Sequence, residues 1–346
     1  MKPGAVQCAQ SLGSCPRSGV HFRLPSLGLL TAIDLPAAVI VVWVGCWVGP
    51  LCRAASEDVS YIGWEQVLNR HAIVTGASKG LGRAVVDRLA RDGWRVSFGA
   101  RSVHELEMLY HELAKMGAEC AFHQLDVSDP SSVDTFFESA VDAFGAPSAV
   151  VHSAGVYGAF GDSQTVDFDA WSATISVNLV GTFLVSRRAI SVMLGAGDGR
   201  IVVLSGGGAT SPMPNISAYA ASKAGVVRLV ESLALEVEGA GISINAVAPG
   251  LMATDMLDQV LAAGRDVIGA AYFDRMQDAK NRGEDSMPDA LDLISFLAST
   301  TMPGLTGRLI SAKWDDWRKW NEGAPELDNR DVYTLRRILP DAELQR

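Results

Sequence analysis

Cysteine is nearly absent from most of this chain. Of five in 346 residues, Cys8, Cys15, Cys46 and Cys52 fall in the first 52. Only Cys120 lies beyond them, so the later part has no internal disulfide framework. No Cys/His cluster has zinc-ligand spacing, and no metal site is expected. Positive charge is also short. There are 29 Lys and Arg against 39 Asp and Glu, a formal net charge of −10, with no basic run. Nucleic acid needs a basic patch to neutralise its phosphates, so that class of partner is excluded. Internal repeats are missing too. What is present is apolar material: 48% hydrophobic and 20% charged residues supply one large core or two small ones.

Residues 1–69 differ in composition from the rest of the chain and read as an N-terminal extension. Residues 35–52 carry no charge and are just long enough for a membrane span, although Pro36 and Pro50 shorten the clean interior. Three readings stay open: a membrane anchor, a secretory signal, or an extension translated from upstream of the true start.

From residue 71 onward, short apolar runs alternate with helical ones. Strands are expected at His71–Thr75, Arg95–Gly99, Glu119–Leu125, Ser148–His152, Arg200–Ser205, Ile242–Val247 and Arg308–Ser311. Helices are expected between them, among them Val103–Lys115, Ser131–Phe144, a long Asp167–Leu194, Ile216–Glu238 and Pro288–Ala298. This alternation predicts an α/β fold, a single doubly wound parallel sheet with helices on both faces. Right-handed crossovers then bring all strand C-termini to one edge, where ligands bind.

Two motifs fall at that edge. Thr75-Gly76-Ala77-Ser78-Lys79-Gly80-Leu81-Gly82 joins the first strand to a helix. Glycines there let backbone amides approach a pyrophosphate, and the helix N-terminus adds positive potential. After the second strand, a carboxylate would accept hydrogen bonds from a ribose diol. The chain instead has Ala100-Arg101-Ser102, with Lys79 in the glycine loop. Two cations and a hydroxyl suit a 2′-phosphate, so NADP(H) is expected over NAD(H). The second motif is Tyr219-Ala-Ala-Ser-Lys223. At that spacing a phenol and an ammonium share one helix face. A phenol titrates near ~10 and a nearby cation lowers it, so the pair is a candidate proton-transfer device.

Together these features resemble the short-chain dehydrogenase/reductase family over roughly residues 70–312, in its NADP-preferring, 3-oxoacyl-carrier-protein-reductase-like form. Leu125-Asp126-Val127 resembles the family's adenine-contacting segment. Val151-His152-Ser153-Ala154-Gly155 is similar to its Asn-Asn-Ala-Gly turn, with Ser153 in place of the second Asn. Asn178 matches the helix asparagine whose main-chain carbonyl holds a relay water. Pro249-Gly250 with Met252 and Thr254 resembles the segment that closes on the nicotinamide. The resemblance implies a Rossmann-type fold, a small carbonyl or alcohol substrate and a homo-oligomer.

It also implies roles. Tyr219 is the general acid/base, Lys223 lowers its pKa and binds the nicotinamide ribose, and Asn178 organises the relay. The family's active-site serine lies thirteen residues before the tyrosine, which here is Gly206; Ser205 stands one position earlier. Two readings arise for Ser205: a loop insertion restores it to the site, or it only ends the strand. The competing functional class is a non-catalytic NADP-binding sensor or scaffold.

Leu251–Ser286 is expected to form a substrate lid carrying Met252, Met256, Leu257, Val260, Leu261, Tyr272, Phe273 and Met276. Residues 313–346 form a tail with Trp314, Trp317 and Trp320 at helical spacing. It packs on the body, covers the site or builds a subunit contact. NADPH is kept inside cells, so a cytoplasmic domain is expected, with membrane anchoring through residues 35–52 as the alternative.

Overall fold

A computed structural model describes residues 70–337. The expected extension, its apolar segment 35–52 and residues 338–346 lie outside the described residues. The strands are β1 (His71–Thr75), β2 (Arg95–Ala100), β3 (Cys120–Gln124), β4 (Ala149–His152), β5 (Gly199–Leu204), β6 (Ile242–Ala248) and β7 (Leu309–Ser311). They form one sheet in the order β3-β2-β1-β4-β5-β6-β7, with every neighbouring pair parallel. This is the expected doubly wound Rossmann-type sheet. The order reverses between β1 and β4, which opens a crevice at their C-terminal ends.

The strands are apolar on both faces because both are covered. Ala72, Val74, Phe98, Val151 and Val202 face one layer. It holds α1 (Gly80–Arg91), α2 (Val103–Lys115) and the later helix Met287–Ser299. Ile73, Val150, Ile201, Val203 and Ile244 face the other, with the helix Pro130–Phe144, called α3, and the helices after β4 and β5. Local signals set the ends of α3. Asp129 accepts from the Ser131 N–H at 3.0 Å, Pro130 takes the first turn, and Gly145 ends the helix at φ 80°.

The long helix expected after β4 is not continuous. α4 (Phe168–Ile175) passes through a π-helical turn, Ser176–Val180, into α5 (Gly181–Leu194). By length and apolarity the run Phe168–Leu194 is long enough to cross a membrane. Its Leu184, Val185, Ala189 and Met193 are buried in the sheet core, which accounts for that apolarity. α6 (Ser217–Glu236) follows β5. The segment expected to form the lid holds α7 (Asp255–Ala263), α8 (Arg265–Ile268) and α9 (Ala270–Asn281), and Met287–Ser299 is α10. Leu257, Val260, Ile268 and Met276 give the lid a small core of its own, with Tyr157, Tyr272 and Phe273 packed against it.

Over its described residues the tail forms no continuous helix across the three tryptophans. Two 3₁₀ turns, Trp317–Glu322 and Pro325–Asp328, come after β7. Trp317 and Trp320 are buried against Phe296 of α10, while Trp314 stays exposed. Arg308 holds the return path. Its guanidinium donates to the carbonyls of Gly304, Leu327, Asn329 and Val332. Tyr333 then lies beside β7, where its carbonyl accepts from the Leu309 N–H at 2.7 Å.

Candidate active site

The loops after β1 and β4 meet backbone to backbone. Gly76 has φ 71°, a conformation open to glycine, and a Cβ there would lie 2.6 Å from the Ala154 nitrogen. Within the first turn of α1, a Cβ on Gly82 would lie 2.3 Å from the Gly76 carbonyl oxygen. Only hydrogens fit at these two positions. α1 begins with no acidic residue in its first turn and no side-chain cap, so its amides and dipole are available to an anion.

These loops open into a cleft of about 1150 Å³ at the strand C-termini. Its floor includes Gly76, Ser78, Lys79, Gly80, Leu81 and Gly82 of the glycine loop and Ser153, Ala154 and Gly155 after β4. Arg101 and Ser102 line it after β2, and Asp126 and Val127 after β3. Pro249, Gly250, Met252 and Thr254 close it after β6. Every residue expected to contact a dinucleotide is thus in one cavity. Asp126 accepts from the Ser128 N–H at 2.9 Å and its hydroxyl at 2.6 Å. These bonds, with the Arg101 charge, hold its carboxyl below the usual range. Lys79 is paired with Asp255 at the start of the lid, at 2.9 Å. Both are exposed, so the pair is weak and screened by solvent, and Lys79 is free to turn to a phosphate.

The structure also brings Tyr219, Lys223 and Asn178 together. Tyr219 and Lys223 lie on α6, both buried, and the lysine Nζ is 5.8 Å from the phenol ring centroid. Lys223 donates to the Leu204 carbonyl at 2.8 Å. Asn178 sits in the π turn. Its amide donates to the Val156 carbonyl at 2.8 Å and to Ser222 Oγ at 3.1 Å, and its Oδ1 accepts from the Val156 N–H at 2.9 Å. Its main-chain carbonyl accepts from Thr182 Oγ1 at 2.6 Å. A Cβ at Gly155 would lie 3.4 Å from Asn178 Oδ1 and 3.5 Å from Lys223 Nζ, so the groups pack around one bare backbone position.

Burial dominates both ionisable groups of the pair. Burial pushes the Tyr219 phenol up, and the nearby Tyr272 adds to the rise. Burial also pushes the Lys223 ammonium down, to about 8. Desolvation outweighs attraction because both groups are enclosed and the ammonium is directed at a carbonyl.

The serine position comes out differently from the tyrosine. Ser205 is buried and its hydroxyl donates to the Lys223 main-chain carbonyl at 3.3 Å. The residue facing the phenol is Gly206, where a Cβ would lie 2.5 Å from the Tyr219 hydroxyl.

Four cleft or cleft-supporting residues carried no flag in the sequence. Ser222 links Asn178 to α6 and donates to the Tyr219 carbonyl at 2.7 Å. Tyr157, two residues past the Ser153-Ala154-Gly155 turn, stacks on Tyr219 with ring centroids 4.5 Å apart. Tyr333 and Thr334 bring the tail into the cleft wall, with Trp314 beside them. Proximity to the turn was the available signal for Tyr157; the tail residues had none.

The short chain dehydrogenase family model matches residues 70–264. An NADPH-dependent aldehyde reductase-like protein, chloroplastic, from Arabidopsis thaliana is 34% identical over 259 residues, 70% of this chain and 92% of the relative. Among solved structures, an actinorhodin polyketide ketoreductase with NADPH is 28% identical, with a TM-score of 0.63 over 70% of this chain and 95% of that one. An NAD+-bound xylitol dehydrogenase is 25% identical, with a TM-score of 0.65 over 71% and 98%.

Proposed function

The chain belongs to the short-chain dehydrogenase family of oxidoreductases, and on that premise we propose that it interconverts a carbonyl and an alcohol using NADP(H). The observation that carries this reading is that Tyr219 and Lys223 line the same cleft as the glycine cradle, with Asn178 buried behind them and bonded to Ser222 of α6. The cradle fits the cofactor, because Gly76 and Gly82, where no side chain fits, draw the loops after β1 and β4 together beside the uncapped start of α1, whose amides are open to a pyrophosphate. Arg101, Ser102 and Lys79 are the residues that would hold a 2′-phosphate.

When bound, the cofactor supplies a hydride to the carbonyl carbon. The carbonyl π pair moves to oxygen, and the proton it takes comes from Tyr219. A phenol held high by burial stays protonated at neutral pH, as a proton donor must. Lys223 then serves the ribose hydroxyls more than the phenol. Asn178 anchors the loop after β4. Ser205 ties the end of β5 to α6.

The bare Gly206 favours a second reading, a nucleotide-binding sensor or scaffold without turnover. Full-length protein assayed for NADPH and NADH oxidation over a panel of aldehydes and ketones separates the two. The reductase reading expects turnover with at least one carbonyl and a preference for NADPH. NADPH binding with no turnover on any carbonyl supports the sensor. An enzyme using NADPH works inside the cell, which supports a cytoplasmic domain, with residues 35–52 as the candidate membrane attachment.

A further inference from the structure

The family's serine hydroxyl has no counterpart at position 206, yet a developing alkoxide gains from a second donor besides the proton-giving phenol. We propose that Tyr157 supplies this second hydrogen bond to the substrate oxygen, and that Tyr272 of the lid orients it. The proposal rests on the reading of Tyr219 as proton donor.

Three observations carry it. First, the Tyr157 ring lies 4.5 Å from the Tyr219 ring, tilted by 39°, and both line the cleft. The phenol at 219 stands where the Gly206 side chain would be, so a donor must reach the oxygen from another side. Second, Tyr157 is fixed on both sides. Asn178 takes both peptide groups of Val156, at 2.9 and 2.8 Å. On the other flank Gly158 has φ 73° and packs so closely on Thr174 that no side chain fits. A donor held this way needs no reorganisation when charge develops. Third, the Tyr157 hydroxyl has one polar neighbour, the Tyr272 hydroxyl at 3.4 Å. A hydroxyl can donate once and accept twice, so the pair retains a donor for the substrate. Arg275 lies over the Tyr272 ring at 5.0 Å and brings positive potential to the same corner. Burial and the neighbouring Tyr219 keep the Tyr157 phenol protonated, and thus a donor.

Tyr157 would be a catalytic residue, touching the substrate oxygen. Tyr272 would be a positioning residue, acting through Tyr157. No proton leaves either one; the proton delivered to oxygen is that of Tyr219.

The test uses full-length Tyr157→Phe, Tyr272→Phe and Tyr219→Phe with a carbonyl that the wild type reduces. NADPH affinity is read by fluorescence and folding by thermal denaturation. Phenylalanine keeps the ring packing, so a purely structural role leaves kcat unchanged. Tyr157→Phe is expected to lower kcat about 10²-fold, the usual loss for one oxyanion donor, with NADPH affinity and Tm unchanged. Tyr272→Phe is expected to lower it about 5-fold, as for one ordinary hydrogen bond, and to leave KM unchanged. If Tyr219→Phe abolishes turnover while Tyr157→Phe keeps wild-type kcat, the proposal is overturned and the reading of Tyr219 stands. If Tyr219→Phe itself turns over normally, both fall.

Discussion

The cleft has two halves of different construction. Under the glycine loop, the contacts are backbone on backbone: Gly76 against Ala154, and Gly82 against the Gly76 carbonyl. Around Tyr219 they are side chain on side chain, drawn from the loop after β4, the lid and α6, with a bare glycine in the middle. A backbone cradle depends on residues missing a side chain at set places next to one strand. A side-chain site depends on which residues the fold brings together from distant segments. Departures from the family pattern occur in both halves, Ser153 in the first and Gly206 in the second, but only the second removes a side chain from beside the phenol.

The largest effect is expected in the backbone half. Gly82→Ala drives a methyl against a carbonyl that cannot move, an overpacking cost of about 1–3 kcal/mol. Calorimetry with NADPH and a thermal melt should show both affinity and stability lost together. If affinity survives intact, the cradle is softer than its geometry implies.

Next comes Gly206→Ala, which separates the halves. Its methyl meets only the end of the Tyr219 side chain, and displacing a reacting group by an ångström costs up to about 10²-fold in rate. Steady-state kinetics should show kcat reduced with NADPH affinity unchanged. A serine at 206 is expected to behave like the alanine, because the phenol already occupies that space.

A pH profile bears on the residue the halves share. Lys223 is held down to about 8 by burial, so its ammonium is charged below that value and neutral above it. If Lys223 binds the nicotinamide ribose as proposed, that recognition is expected at neutral pH and lost as pH rises through about 8. The ratio kcat/KM for NADPH, which reports the free enzyme, should fall above that point.

The smallest effect is expected at Ser205. Ser205→Ala removes one buried hydrogen bond of 3.3 Å, worth about 1 kcal/mol of stability, and should leave kcat within about 2-fold. A large loss of kcat would return Ser205 to the site.

The same contrast separates what the sequence could reveal from what it could not. Strand positions come from periodicity, and the glycine loop, Arg101, Asp126 and Pro249 from motifs beside strand ends, because each is a local pattern. The family's spacing pointed to Gly206, and Gly206 is the residue that faces the phenol; what spacing left open was whether a loop insertion brought Ser205 there instead. Consecutive residues leaving a strand point to opposite sides, so a shift of one position exchanges the buried group for the one that faces the phenol. The rise of the Tyr219 phenol was illegible for another reason. Spacing on a helix shows that a lysine is near, while desolvation depends on everything that closes over both groups. The tail behaves likewise: Trp314, Trp317 and Trp320 share a helical spacing, yet two are buried on α10 and one is exposed.

Whether Tyr219 gives the proton is decided by a single-turnover measurement of NADPH oxidation. Full-length protein and its Tyr219→Phe variant are compared at saturating carbonyl substrate. With Tyr219 as proton donor, the variant's hydride-transfer rate falls by about 10²–10⁴-fold while NADPH affinity holds. An unchanged rate in Tyr219→Phe would rule that role out.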